Sequence, residues 1–460
     1  MTGDQHINMD GITWNRLGEV VNQSMAVTGV PGVAVGILHG GETVAAGFGI
    51  TSVENPLPVT SETLFQIGSI TKTFTGTAIM ELVEQGQLDL GATVRTYVPD
   101  FAVSDETASA QATIFHLLTH TGGWAGDFWH ATGAGDDALA RYVADMAELP
   151  QLVPIGSLWS YNNAGFCLAG HVIERALGKS YETALKDLLL EPLGLQASFF
   201  DPADVMTHRF AVGHNVAEGT ARVARPWPLE RSANPAGGIA STVMDLLRYA
   251  RFHLEDGRVD DGSPLLSPDS IAQMQSPQVT LWGNEARGLT WAVNQVDGTP
   301  EISHGGGTNG QISQLALIPE HGFALVVLTN ADRGSEVTRA VRRWALKVYL
   351  GLEAAGPEPI EVSEEDLAQY AGRYWGYYSD LELGMLGGRL VGQVTYKRSF
   401  PSEHVPPPPA PRPMSLTLCE PDRLLVLDGR FKDAVTDVIR NPDGSVGWLR
   451  FGGRLRARES

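Results

Sequence analysis

Strand-like segments stand near both ends of the first 350 residues of this chain, and helical patterns fill the long interval between them. That split governs what the chain can fold into. Val33–Leu38 and Thr43–Gly49 read as two strands about the turn His39-Gly40-Gly41. Strand signals resume only at Gly288–Val293, Gln311–Ile318 and Phe323–Leu328, while residues 90–285 carry helical patterns broken by Gly and Pro. Helices are expected from Trp14 to about Ala26, after Gly68 (Ile70, Phe74, Ala78, Ile79 and Leu82 on one face) and over Glu336–Leu350. Strands so far apart in sequence share a core by pairing into one sheet. The expectation is an α+β fold: a mainly antiparallel sheet assembled from the termini and flanked by helices, a helical subdomain beside it, and a cleft between the two.

A second unit follows. Ala354-Ala355-Gly356-Pro357-Glu358-Pro359 has linker composition. Beyond it, Tyr370–Val394, Leu424–Leu427 and Trp448–Phe451 look like strands, and Val405-Pro406-Pro407-Pro408-Pro409 must be an exposed loop or edge. The division expected is 1–355, a linker at 356–361, and a small all-β domain over 362–460.

With 33 basic against 53 acidic residues the net charge is -20, which repels phosphate backbones on average. The cluster Arg450, Arg454, Arg456 and Arg458 is expected to be one solvated strand face, and no nucleic-acid partner is expected. No apolar run approaches a membrane span; the densest, Phe323–Leu328, is strand-length. Two cysteines, Cys167 and Cys419, are too few for a disulfide scaffold and read as buried thiols in a reducing compartment. The opening MTGDQHINMDGITWN has neither a cationic start nor an apolar h-region, so a cytoplasmic protein is expected.

Six lysines stand against 27 arginines, so each lysine's position is informative. Lys72 follows Ser69 by three residues at the start of an apolar-periodic helix, which puts both side chains on one face. A serine hydroxyl becomes a useful nucleophile when a neighbouring amine, kept neutral by burial, can take its proton. Taken alone, the pair fits a serine helix cap and an exposed lysine as well. A phosphate-binding loop fails, because Thr71 stands where Gly must precede the lysine. Tyr161-x-Asn163 adds a phenol able to relay a proton and an amide able to donate and accept. His304-Gly305-Gly306-Gly307 adds a glycine-rich strand that allows close backbone approach and an oxyanion N–H beside that of Ser69.

Ser69-x-x-Lys72, Tyr161-x-Asn163 and His304-x-Gly306, in this order, resemble the three signature motifs of the serine β-lactamase and penicillin-binding-protein superfamily, in the branch with class C β-lactamases, D-peptidases and esterases. His116–Gly123 and Asn234–Ile239 support the likeness, which covers about residues 14–350. The resemblance implies Ser69 as acylated nucleophile, Lys72 as its activator, and Tyr161 as general base and then acid. It implies Asn163 as orienter of Lys72 and substrate, His304 on the strand side of the cleft, and Gly306 and Gly307 at the substrate and oxyanion position. It also implies a lipocalin-like β-barrel over 362–460, read here as a lid or wall for the cleft.

Penicillin-recognising members usually carry Lys-Thr-Gly or Lys-Ser-Gly where this chain has His304-Gly305-Gly306, so the fixed cation for a substrate carboxylate is missing. The expected activity is a serine hydrolase cleaving a small-molecule or peptidyl ester or amide, with no cofactor and no metal. Acyl transfer, peptide cyclisation or D-amino-acid-specific peptidase chemistry on the same residues, and a catalytically silent penicillin-binding-like sensor, remain as alternatives. His116 and His120, four apart, lack a third zinc ligand and are expected to pack and hydrogen-bond. Trp124, Asp127, Phe128 and Trp129 suit an aromatic cleft rim or a loop packed on itself. Substrate identity and oligomeric state are not legible.

Overall fold

The computed structural model describes residues 11–459; the first ten residues, on which part of the leader reading rests, lie outside the described residues. An opening helix α1 (Gly11–Thr28) leads into β1 (Gly32–His39) and β2 (Glu42–Gly49). Helices α2 (Thr71–Glu84), α3 (Asn163–Leu177) and α4 (Val243–Leu254) belong to the long middle. The chain then returns as β3 (Val279–Trp282), β4 (Glu285–Arg287), β5 (Ala292–Val296), β6 (Thr299–Thr308), β7 (Gln311–Ile318) and β8 (Phe323–Thr329), closed by α5 (Gly334–Ala345). These strands form one antiparallel sheet in the order β2-β1-β8-β7-β6-β5-β4-β3, with the N-terminal pair joined to the C-terminal set through β1 and β8.

Both faces of this sheet are covered, which is why β1 and β8 are apolar almost without interruption. With a side-chain period of two, Val33, Val35 and Ile37 point toward α1 and α5 and pack with Leu17, Val21, Val337 and Val341. Ala34 and Leu38 point the other way, into the large core shared with Phe74, Leu246 and Leu247. Asn330, fully buried after β8, ties the end of that strand to the start of β1 and to the chain leaving β2. Its Oδ1 accepts from the Gly32 N–H at 2.7 Å, and its Nδ2 donates to the carbonyls of Ile50 and Thr51.

Several expectations change in detail. Gly288–Trp291 is not strand: Thr290 takes φ 73°, the Gly288 N–H bonds the Trp291 carbonyl, and β5 begins only at Ala292. The apolar run there is buried by packing against the helical core rather than by pairing. The middle region also contains a small hairpin, His214–Ala217 with Thr220–Val223. The last helix ends at Ala345 and relaxes into a wider turn over Leu346–Leu350. Among the described residues no helix is long and apolar enough to cross a membrane.

After a stretch free of regular structure and a short helix (Glu364–Ala368), eight strands close into an antiparallel barrel: β9 (Gly372–Trp375), β10 (Ser379–Leu386), β11 (Arg389–Tyr396), β12 (Met414–Glu420), β13 (Arg423–Val426), β14 (Val435–Arg440), β15 (Val446–Phe451) and β16 (Arg454–Arg458). It has its own core, with Tyr374, Leu381, Leu390, Leu424 and Leu449 at its centre. Val405–Pro409 falls in the β11–β12 connection, outside any strand. Cys419 is only half-buried, unlike Cys167, and both thiols are free.

The arginine cluster is not a solvated face. Arg450 and Arg456 are buried, Arg450 ion-pairs with Asp437 at 2.8 Å, and Arg454 leaves the barrel to meet Asp127 of the other unit. A charge buried this way needs a partner, and here the partners come from sequence-distant strands and loops.

Replacing Asn330 with Ala would leave one buried N–H and two carbonyls without their partner. The expected loss of stability is about 2–4 kcal/mol, read as a lowered midpoint in chemical denaturation.

Candidate active site

Ser69 sits on a tight 3-10 turn, Gly68–Ile70, directly before α2. Two contacts fix that turn. Phe65–Gln66 pairs with Ala240–Ser241, and the Ile67 N–H bonds the Ile239 carbonyl. On the other side the turn lies against β6. Ser313 Oγ donates to the Ile67 carbonyl at 2.7 Å, and a Cβ on Gly306 would stand 1.9 Å from that same oxygen. Gly68 takes φ +53°, and a Cβ there would stand 2.6 Å from the Gly307 nitrogen. Both glycines are required by close backbone approach. Together they leave the Ser69 hydroxyl partly exposed in otherwise buried surroundings.

One helical turn on, Lys72 is completely buried. Its Nζ donates to Ser69 Oγ at 3.0 Å and to the Ala236 carbonyl, and lies 5.0 Å from the centre of the Tyr161 ring. Ser69 also acts on the Tyr161 hydroxyl, favouring its ionised form. Burial acts on these two groups in opposite senses, because it disfavours whichever form is charged. It pulls the Lys72 ammonium down to about 7, with Arg454 pushing the same way. It pushes the Tyr161 phenol up to about 12, although Ser69 and Arg454 both work against it. Near neutrality the amine therefore exchanges its proton while the phenol keeps its own.

Asn163 opens α3, but its amide does not bond Lys72; its Nδ2 donates to Asp127 Oδ1 at 2.7 Å. Asp127 also receives Arg454 Nε and Nη2 at 3.0 and 3.1 Å. Burial pushes Asp127 up, but the Arg454 charge and these hydrogen bonds outweigh it and hold the carboxyl below its usual range. The Arg454 guanidinium then lies 4.6 Å from the centre of the Tyr161 ring. It comes from the Gly452–Gly453 hairpin between β15 and β16, whose Gly453 carbonyl accepts the Tyr161 N–H. The barrel thus supplies a charged group within contact of the phenol.

His304 does not line the cleft. Residues 304 and 306 share one face of β6, the face turned toward Ile67, so the imidazole is buried with its ring centre 6.3 Å from that of Tyr161. Its Nδ1 lies 2.6 Å from the Gly305 carbonyl, and burial, reinforced by Lys72, holds it down to about 3. The ring is neutral. Gly307 is the β6 residue on the cleft wall, beside Ser69.

One further assignment changes. Trp124 is not a rim residue but core, packed on Phe101 at 5.8 Å between ring centres. His116 and His120 do not share a helix face, because that helix ends at Leu118. His116 caps it with Thr113, while His120, at φ 57°, stacks on Tyr161 at 4.4 Å and accepts the Asn162 N–H at 2.9 Å. No group of three metal-ligating side chains occurs among the described residues.

The cleft above Ser69, about 290 Å³, is walled by both units: Asp127, Trp129, Tyr161 and Gly307 from one, Tyr377, Tyr378, Phe400, Phe451 and Arg454 from the other. Sequence reasoning missed the barrel aromatics and His120, and it placed Arg454 on the surface. A Gly-Gly hairpin directly before Arg454 was the one local hint.

The family description Beta-lactamase matches residues 17–349. The chain belongs to this family of serine hydrolases. It is 36% identical to "Penicillin-binding protein 4" of Amycolatopsis lactamdurans over 75% of this chain and 93% of that protein. It is 25% identical to "Unguisins hydrolase ungD'" of Aspergillus campestris over 85% of this chain and 73% of that one. A crystal structure of SurE superposes with TM-score 0.76 at 26% identity, covering 98% of this chain and 100% of the other, so the likeness extends through the barrel.

Replacing Gly306 with Ala forces the Ile67 turn away from β6 and misplaces Ser69. Turnover of a chromogenic ester should fall by about 100-fold, while the melting temperature shows that the fold survives.

Proposed function

We propose that this family member cleaves an ester or amide through an acyl-enzyme on Ser69. The observation that carries the reading is the buried Lys72 amine, donating to Ser69 Oγ at 3.0 Å and held at about 7. In its neutral form Lys72 takes the Ser69 proton as Oγ bonds to the substrate carbonyl carbon. The resulting oxyanion is met by the N–H groups of Ser69 and Gly307. As the intermediate collapses, the bond to the leaving alcohol or amine breaks, and the leaving group takes a proton from the Tyr161 hydroxyl. The phenolate formed is favoured by Arg454 and is reprotonated from the Lys72 ammonium. Water then attacks the acyl-enzyme by the same steps in reverse order. Asn163 and Asp127 act by holding Arg454 and the start of α3, and residues 362–460 serve as a wall of the cleft, joined through 356–361 to residues 1–355.

Substrates are neutral on the β6 side. His304 is uncharged and buried, so no fixed cation receives a carboxylate there. The aromatic wall from the barrel favours apolar or aromatic acyl groups. Transfer of the acyl group to an amine uses the same residues. Mass spectrometry of the products from D- and L-configured peptidyl esters separates hydrolysis from aminolysis or cyclisation.

Two outcomes test the reading. Wild-type protein should give an acylation burst with a short chromogenic ester that Ser69→Ala abolishes; unchanged turnover in the variant overturns it. The rate of acylation, kcat/KM, should rise about tenfold per pH unit below 7 and level off above it, since only the deprotonated Lys72 is competent. A profile that falls across this range would instead require the ammonium.

A further inference from the structure

The barrel's hairpins turn mostly in a few residues, as at Gly387-Gly388 and Gly452-Gly453, but the connection from β11 to β12 runs over 397–413. Connections of that length without regular structure usually have a task. This one crosses to the hydrolase unit. Phe400 packs edge-on against Trp129, ring centres 4.9 Å apart, and both side chains line the cleft. Beside Trp129, His130 presents Nδ1 to Glu403 Oε2 at 2.6 Å and Nε2 to Asp145 Oδ2 at 3.2 Å, so one imidazole lies between carboxylates of the two units. The Ala131 N–H adds a longer bond to Glu403 Oε1.

The connection is also held at its root. Lys397 Nζ pairs with Asp380 at 2.6 Å, and the Arg398 guanidinium lies 3.9 Å from the centre of the Tyr377 ring. After Glu403, four consecutive prolines restrict the backbone before Gln393 bonds the Pro411 carbonyl. A segment stiff on one side and pinned at its root has few ways to move, so the contact at Glu403, beside the buried Pro401 and Ser402, bears on where Phe400 stands.

We infer that residues 397–413 form a substrate-retaining strap, and that His130 and Glu403 are positioning residues that hold its Phe400 against Trp129 as the outer wall of the acyl pocket. The inference rests on the hydrolase reading of that pocket. It assigns the strap a preference: acyl groups large enough to reach Phe400, aromatic ones above all, gain from the clamp, and an acetyl group does not. The two carboxylates and the imidazole are all partly exposed, so the clamp biases closure modestly rather than locking it.

Steady-state kinetics on p-nitrophenyl acetate and on the p-nitrophenyl ester of an N-acylated phenylalanine, with hydrogen exchange of 398–405, tests this. Glu403→Ala should raise KM for the aromatic ester about two- to fivefold, leave its kcat and both acetate parameters unchanged, and speed exchange in the strap. His130→Ala should do the same, and Glu403→Gln, which keeps an acceptor, should recover most of the loss. Unchanged KM together with unchanged exchange in both alanine variants overturns the strap. If wild-type protein hydrolyses neither ester, the hydrolase reading fails while exchange still decides whether the clamp holds.

Discussion

The site depends on two backbones touching. Ile67–Gly68 lies against Gly306–Gly307 with no side chain between them, and a methyl group at either Gly68 or Gly306 would overlap a main-chain atom. This contact sets the distance from the Ser69 turn to the sheet, and so fixes how the Ser69 and Gly307 N–H groups stand to one another. The sheet's long-range assembly, with β1 beside β8, makes the platform rigid enough for that contact to persist. Side chains then decorate a geometry that the main chain has already imposed.

Around that contact the protein works by separating two protonation equilibria. Lys72 and Tyr161 share Ser69 as a neighbour, yet burial moves them apart, the amine toward neutrality and the phenol further from it. Arg454 lowers both, favouring the phenolate and disfavouring the ammonium. Its partial burial is tolerable because Asp127 answers it with two hydrogen bonds. The half-buried pair is a poor source of net stability but a precise way to hold positive charge beside one ring.

What the sequence made legible was whatever is encoded locally. Ser69 and Lys72 are one turn apart, Tyr161 and Asn163 adjoin a helix start, and the glycines of β6 advertise close approach. The α+β sheet assembled from the two ends was legible for a similar reason, since strand and helix periods are read in short windows. The rest depended on partners far along the chain. Arg450, Arg454 and Arg456 alternate like a solvated strand face, and only Asp437 and Asp127 reveal that they are not. Trp124 follows a Gly-Gly turn as a rim residue would, but Phe101 draws it inward. His304 occupies its motif position, yet the two-residue period of β6 turns it behind the wall. Gly288–Trp291 has strand composition and a backbone, at Thr290, that no strand adopts.

The hairpin carrying Gly453 and Arg454 brings a further consequence. Ser69 and Lys72 leave the ribosome early, whereas the guanidinium that faces Tyr161 emerges only after the barrel's other seven strands. The first unit can bury its own core before then, but the hollow at Ser69 stays open on one side and Asp127 has Asn163 without Arg454. Completion of the cleft is thereby coupled to completion of a different fold, so in a nascent chain Ser69 stands in an unfinished hollow until the barrel closes over it.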